Sequence, residues 1–485
     1  MSRLREYCGV VGVIGTPKAA RLAHLALYAL QHRGQEGSGI VSFGDAGSRA
    51  HKAQGLVADI FNDAILDALP GDIAIGHNRY STTGASSLEN CQPLVATGRR
   101  GEIALAHNGN LVNAAVLRRE LEEAGAVFQS TTDSEVILHL LARSREEATE
   151  EVLAEALRPL RGAFALTIAT RDELIGVRDP WGFRPLCYGA LPDGGWIVAS
   201  ESCALDITGA TLEGEVGRGE AVVLDRSGCV RRARLPDIED ERMCIFEYIY
   251  FSRPDSVLLG HSVDQVRRGL GRRLAREHPV EADAVVAVPD SSNSAALGFS
   301  EESGVPFELG LIRNHYIGRT FINPTQEMRD DRVRIKFNPV RALVEGKRLV
   351  VVDDSIVRGT TMRKLVKMLW KAGAREIHLR LSSPPIVSPC YYGIDTPEKA
   401  QLIAASHSVE EIGRDLRVTS IGYLSHEGMI DAAPSGIGYC SACFTGSYPV
   451  TFPGLEAALR GGAAGRARDE SEAARVHEAA RSTGG

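Results

Sequence analysis

Val350-Val351-Val352-Asp353-Asp354-Ser355-Ile356-Val357-Arg358-Gly359-Thr360-Thr361 is the stretch on which the reading of this chain turns. The consecutive valines predict a buried strand. Two carboxylates stand at its C-terminal end, Gly359 supplies a turn, and Thr360-Thr361 opens a helix. Ligands of open α/β sheets bind outside the carboxyl ends of strands. Backbone N–H groups at a helix start suit a phosphate, and threonine hydroxyls add donors. Adjacent carboxylates can accept from two ribose hydroxyls and help hold Mg²⁺. The plainer alternative is an ordinary strand-turn-helix with acidic surface residues, but here apolar run, paired acids, glycine and threonines follow in the order a phosphate site needs.

Outward from this loop, strands predicted at 284–288, 307–312, 349–352 and 377–381 alternate with helices at 295–303, closed by Gly304, and 361–371, closed by Gly373. That alternation implies βαβ units and a parallel sheet. Upstream, Ser262-x-x-Gln265 reads as a capping box before a helix with Val266, Leu270 and Leu274 on its core face. The charged stretch 231–242, with Pro236, marks the domain junction. Before it the rhythm differs. Short strands are expected at 8–14, 73–76, 103–106, 163–169 and 196–200. A helix should start at Thr16-Pro17 and bury Leu22, Ala26 and Leu30, and another should cover 113–125. The expected division is a leader at 1–7, domains at 8–235 and 236–455, and a disordered tail at 456–485 rich in Ala, Gly, Arg and Glu.

The net charge of −7 over 485 residues speaks against nucleic acid or membrane surfaces as partners. There is no 18-residue apolar run and no secretory h-region, so neither a membrane span nor a secretory signal is expected. Nine cysteines, an odd and sparse set, argue against a disulfide scaffold and for a reducing cytoplasm.

The quoted loop resembles the signature of type I phosphoribosyltransferases. The resemblance implies that Asp353 and Asp354 bind the ribose of phosphoribosyl diphosphate (PRPP) and its Mg²⁺, while Ser355, Arg358, Gly359, Thr360 and Thr361 wrap the 5′-phosphate. Val288-Pro289-Asp290-Ser291-Ser292 resembles the pyrophosphate-side loop, with Ser291 at a Mg²⁺ position, although Pro-Asp-Ser is also a common turn. The long basic stretch 313–336, with Arg319 and Lys336, resembles the loop that closes over PRPP; a solvated basic loop is the alternative.

In the first half, Cys8-Gly9 opens the first strand. Four motifs follow in order: His32-Arg33-Gly34-Gln35-Glu36-Gly37, Gly76-His77-Asn78-Arg79-Tyr80-Ser81-Thr82, His107-Asn108-Gly109-Asn110-Leu111 and Thr132-Asp133-Ser134-Glu135. Together they resemble the N-terminal-nucleophile glutamine amidotransferases. Amide hydrolysis needs a nucleophile, a base, an oxyanion hole and a grip on the substrate. The resemblance implies Cys8 as nucleophile, Asn108 and Gly109 as oxyanion hole, and Arg79, Tyr80 and Asp133 as the glutamine grip. A thiol of pKa about 8.5 can be activated by an α-amine of about 7.7–8. That amine must be Cys8's own, so Met1–Tyr7 is expected to be removed. Asn78 departs from the pattern, which would have an apolar residue there.

Cys244, Cys390, Cys440 and Cys443 lie in the second half. One C-x-x-C does not by itself choose between metal and redox roles. The chain as a whole, over about 8–450, resembles the glutamine-dependent amidophosphoribosyltransferases. All four cysteines match the branch that carries a [4Fe–4S] cluster; zinc, or four free thiols, are the alternatives. The implied fold is α/β and α+β in two domains: an αββα N-terminal-nucleophile sandwich, then a parallel-sheet phosphoribosyltransferase domain. The implied activity is hydrolysis of glutamine at Cys8, passage of ammonia to PRPP, and formation of 5-phosphoribosylamine, pyrophosphate and glutamate in purine synthesis. Purine nucleotide inhibitors and a homotetramer are implied as well. The rivals are another glutaminase of this class and a non-catalytic nucleotide-sensing regulator.

Overall fold

Strand-forming, β-branched segments in the first half pair antiparallel and stack two deep. In the computed structural model, residues 8–80, 87–235, 240–314, 336–452 and 455 are described. One seven-stranded sheet has Gly9–Ile14 near its middle, between Trp196–Ala199 and Ile73–Arg79. The other, six-stranded, pairs Gly101–Leu111 with Gly162–Ala169. Period-2 alternation gives each sheet two apolar faces. Val10, Ile14, Ile73 and Ile75 of the first sheet meet Ala104, Ala106 and Ala165 of the second in one inner layer. Val11 and Val13 face outward onto the helix Ala19–Ala29. Leu105, Leu166 and Ile168 face the helices Ala114–Glu123, Ser134–Arg143 and Thr149–Leu157. The result is the expected αββα sandwich.

The second half holds four parallel strands in the order Ala284–Ala287, Arg348–Asp353, Glu376–Leu381 and Ser420–Tyr423. Both faces are buried, as all-parallel sheets require. Val350 and Val352 pack toward the helix Val263–Glu277. Leu349 and Val351 pack toward Thr360–Lys371 through Leu365, Val366 and Leu369. Each such fully buried side chain contributes about 1.5–3 kcal/mol relative to exposure.

Three local expectations are corrected. The first helix starts at Ala19, not at Pro17: Thr16 spends its hydroxyl accepting from the Lys18 N–H, so it makes a turn rather than a cap. Ser262 caps Gln265 N–H, but the Gln265 amide donates to Asp264, leaving the box half made. The strand expected at 307–312 shrinks to Leu311–Arg313, with Phe307 making a single bridge to Val285.

The halves are joined by a buried ion network. Arg33 pairs with Glu201 of its own half and with Glu247 of the other at 2.6 Å, and Arg184 approaches Glu247 at 3.5 Å. All four side chains are essentially inaccessible to water. The leader at 1–7, residues 236–239 of the junction at 231–242 and the tail at 456–485 lie outside the described residues.

Candidate active site

Pairing of Gly9–Ile14 with Ile73–Arg79 sets Gly9 opposite Asn78 and so brings Cys8 to the end of the strand that carries Arg79 and Tyr80. The buried Cys8 thiol donates to the Tyr80 carbonyl at 3.5 Å. Burial pushes it up to about 11, against the Tyr80 hydrogen bond and the Arg79 charge. A thiol held that high needs a base to become a nucleophile. Asn78, polar where an apolar residue was expected, is satisfied: it donates to the Leu27 carbonyl at 2.7 Å and accepts from Ser38 at 2.9 Å.

Asn108 and Gly109 lie on the facing sheet, in Gly101–Leu111. Asn108 is fully buried, and neither polar atom of its side chain has a partner among the described residues. Leaving such a group unmatched costs about 1–3 kcal/mol, so it calls for an explanation, and a ligand oxygen is one. Gly109 has φ +153°, and a Cβ there would lie 2.0 Å from the Ala163 carbonyl oxygen; only glycine fits. Asp133 precedes the helix Ser134–Arg143 and accepts from the Leu111 N–H at 2.9 Å, which ties it to the same strand.

The second half covers this strand. Asn110 donates to the Tyr391 carbonyl at 2.9 Å, the Tyr80 hydroxyl reaches Asp395 at 3.4 Å, and Arg184 donates to the Tyr392 carbonyl. A Cβ on Gly393 would sit 3.1 Å from the Gly109 backbone. Sequence reasoning missed Asn110 and Asp395 as contacts, because no local pattern marks a partner nearly 300 residues away.

At the other site, Asp353 ends its strand and Asp354 follows, both nearly inaccessible. Ser291 donates to Asp354 at 2.6 Å, Ser292 to Asp353 at 2.9 Å, and Ser355 to Asp354 at 2.8 Å. Gly359, φ +72°, caps the helix Thr360–Lys371, on whose first turn Thr360 is exposed and Thr361 half-buried. Arg358 is turned to Gln401. A shallow cleft with Pro289, Asp290, Asn293, Leu309 and Arg313 in its wall opens beside Ser291. Lys336 stands over the Phe337 ring at 5.6 Å, at the base of the basic stretch. Arg319 lies outside the described residues, as do Ser81 and Thr82.

The four second-half cysteines converge. Met243–Cys244 pairs parallel with Tyr439–Cys440, setting Cys244 opposite Cys440. The Cys443 carbonyl accepts from the Val387 and Ser388 N–H groups, drawing in the segment before Cys390. The Tyr392 N–H donates to the Cys390 sulfur at 3.3 Å. Burial first, then the neighbouring thiols, push Cys440 and Cys443 well above the usual thiol range. Among the described residues, no three His, Cys, Asp or Glu side chains stand in ion-holding geometry. Cys91, Cys187 and Cys203 are buried and Cys229 is exposed.

A family model for a glutamine amidotransferase domain matches residues 77–206. An amidophosphoribosyltransferase of Arabidopsis thaliana, named as chloroplastic, is 51% identical over 452 residues, covering 92% of this chain and 79% of that protein. An amidophosphoribosyltransferase of Archaeoglobus fulgidus is 50% identical over 456 residues, covering 93% and 99%. The solved glutamine PRPP amidotransferase of B. subtilis, complexed with ADP and GMP, superposes with TM-score 0.86 at 48% identity, covering 92% of this chain and 98% of that one. No helix among the described residues is long and apolar enough to cross a membrane.

Proposed function

The chain belongs to the amidophosphoribosyltransferase family, a glutamine amidotransferase and pentosyltransferase of purine biosynthesis, and on that premise we propose how its own residues divide the work. Cys8 attacks the side-chain carbonyl of glutamine once Met1–Tyr7 have been removed and its own α-amine can take the thiol proton. The Asn108 amide and the Gly109 N–H receive the oxyanion. Arg79 grips the substrate carboxylate with a guanidinium fork, Asp133 holds the α-ammonium, and Tyr80 closes the pocket. The tetrahedral adduct collapses to a glutamyl thioester as its C–N bond breaks and ammonia leaves, and water then hydrolyses the thioester to glutamate and the free thiol. Ammonia passes inside the protein to C1 of PRPP and displaces pyrophosphate with inversion. Asp353 and Asp354 hold the ribose hydroxyls, and Ser355, Arg358, Gly359, Thr360 and Thr361 the 5′-phosphate. Arg319 and Lys336 close over the substrate.

Asp353 and Asp354, with Ser291 donating to Asp354 at 2.6 Å, are the oxygen donors that would hold one Mg²⁺. What Mg²⁺ supplies there is neutralisation of the leaving pyrophosphate. Cys244, Cys440 and Cys443, buried, and Cys390, half-buried, supply the four thiols that a structural [4Fe–4S] cluster would need, and such a cluster would stitch the start of the second half to its end. An anaerobic preparation should be brown and hold about four irons per chain. We further propose inhibition by purine nucleotides, a homotetramer, and a reducing compartment such as the cytoplasm.

The observation that carries the reading is the unpartnered Asn108 amide on one sheet with Cys8 and Arg79 on the other. Cys8→Ala should lower glutamine-dependent turnover about 10⁴-fold or more and leave ammonia-dependent turnover of PRPP intact. Loss of both would contradict two separate sites, and a mature protein whose intact mass begins at Met1 would contradict the amine as base. A non-catalytic regulator would show neither activity.

A further inference from the structure

We infer that His77 is a positioning residue for the glutaminase step: from the nucleophile's sheet it holds the oxyanion strand of the facing sheet in place. The inference rests on the assignment of Cys8, Asn108 and Gly109 made above. His77 lies in Ile73–Arg79 in register with Val10, two residues from Cys8. Val10, Ile73 and Ile75 all point into the layer between the sheets, so alternation aims His77 into that layer too. There the fully buried ring donates through Nε2 to the His107 carbonyl at 3.1 Å. That carbonyl belongs to the peptide bond joining His107 to Asn108. One imidazole therefore reaches across the sandwich to the residue before the oxyanion amide.

The acceptor fixes the tautomer. A carbonyl only accepts, so Nε2 carries the proton and Nδ1 presents a lone pair, which has no partner among the described residues. Burial, aided by the Arg79 charge, lowers the ring to about 3 against the pull of the carbonyl bond. The ring is thus neutral, with one donor and one orientation, throughout the working pH range. Filling an apolar layer with an imidazole costs free energy that an aliphatic residue would not. What histidine adds is a rigid N–H of the right reach. Displacement of a reacting group by about 1 Å can cost about 10²-fold in rate.

The test compares His77→Leu, which loses the donor, with His77→Gln, whose amide can donate from near the Nε2 position. His77→Leu should lower kcat for glutamine by about 10- to 10²-fold, with KM for glutamine and ammonia-dependent turnover unchanged, and His77→Gln should recover most of the loss. If His77→Leu does not fold, His77→Asn, too short to span the gap, takes its place with the same expectation. Unchanged kcat, an equal fall in both activities, or no recovery with glutamine would overturn the role. Alkylation of wild-type Cys8 by a diazoketone analogue of glutamine, mapped by mass spectrometry, separates the two levels. No label at Cys8 sinks the underlying assignment. Label at Cys8 together with any overturning result sinks the inference alone.

Discussion

Asp353, Asp354 and Ser355 stand together as consecutive residues, whereas Cys8, Arg79, Asn108 and Asp133 arrive from four separate segments, spread over two sheets and the start of a helix. The parallel sheet explains the first case. Its strands all end on one edge, so a single strand-turn-helix can carry carboxylates and a phosphate cradle together. The antiparallel sandwich explains the second. A site at the end of its layers collects residues from several strands, and each must be in register. The lesson is that a contiguous site fails through its own side chains, while a dispersed one fails also through whatever keeps the sheets and halves aligned.

The strongest way to break this contrast is Asp354→Asn. It should abolish glutamine- and ammonia-dependent turnover together, because both need PRPP. Ammonia-dependent turnover near wild type would mean that the contiguous loop is not the transferase site. Next comes Glu247→Ala, which leaves the buried Arg33 and Arg184 facing each other without their shared carboxylate. It should cost about 3–5 kcal/mol, read as a lower urea midpoint. An unmoved midpoint would show that the dispersed site does not depend on this link. Asn108→Ala should cost glutamine turnover about 10²–10³-fold with KM for glutamine retained, while ammonia-dependent turnover stays whole. The smallest effect is expected from Ser408→Ala, which removes a complete capping box from the helix Val409–Leu416 behind the loop 350–361. About 1 kcal/mol should be lost, seen as faster amide exchange in that helix at unchanged activity. A marked fall in activity there would show that the contiguous site is not self-sufficient.

Legibility followed the same division. The loop 350–361 could be read as strand, turn and helix because every signal in it is local: valines, paired acids, glycine, threonines. In the first half the motifs were legible only as an ordered set. Their contacts were not, since Cys8 meets Tyr80 across 72 residues and Asn110 meets Tyr391 across 281. The misplaced start of the first helix has a local cause that propensity missed: Thr16 can cap a helix or make a turn, and it made the turn. Asn78 broke the apolar pattern for a reason visible only in the packed sheet, where Leu27 and Ser38 wait for its amide.

The sequence by itself determined the two-part architecture, the family it resembles and the residue types at each site, because periodicity and turn chemistry are carried by neighbouring residues. Tertiary structure alone decided that Cys8 is buried beside the Tyr80 carbonyl, that His77 crosses to the His107 carbonyl, and that Tyr391 and Gly393 lie against the strand Gly101–Leu111. Each of these depends on what stands opposite a face. Alternation tells which way a side chain points, and only the packing of one sheet or one half on another tells what it meets there.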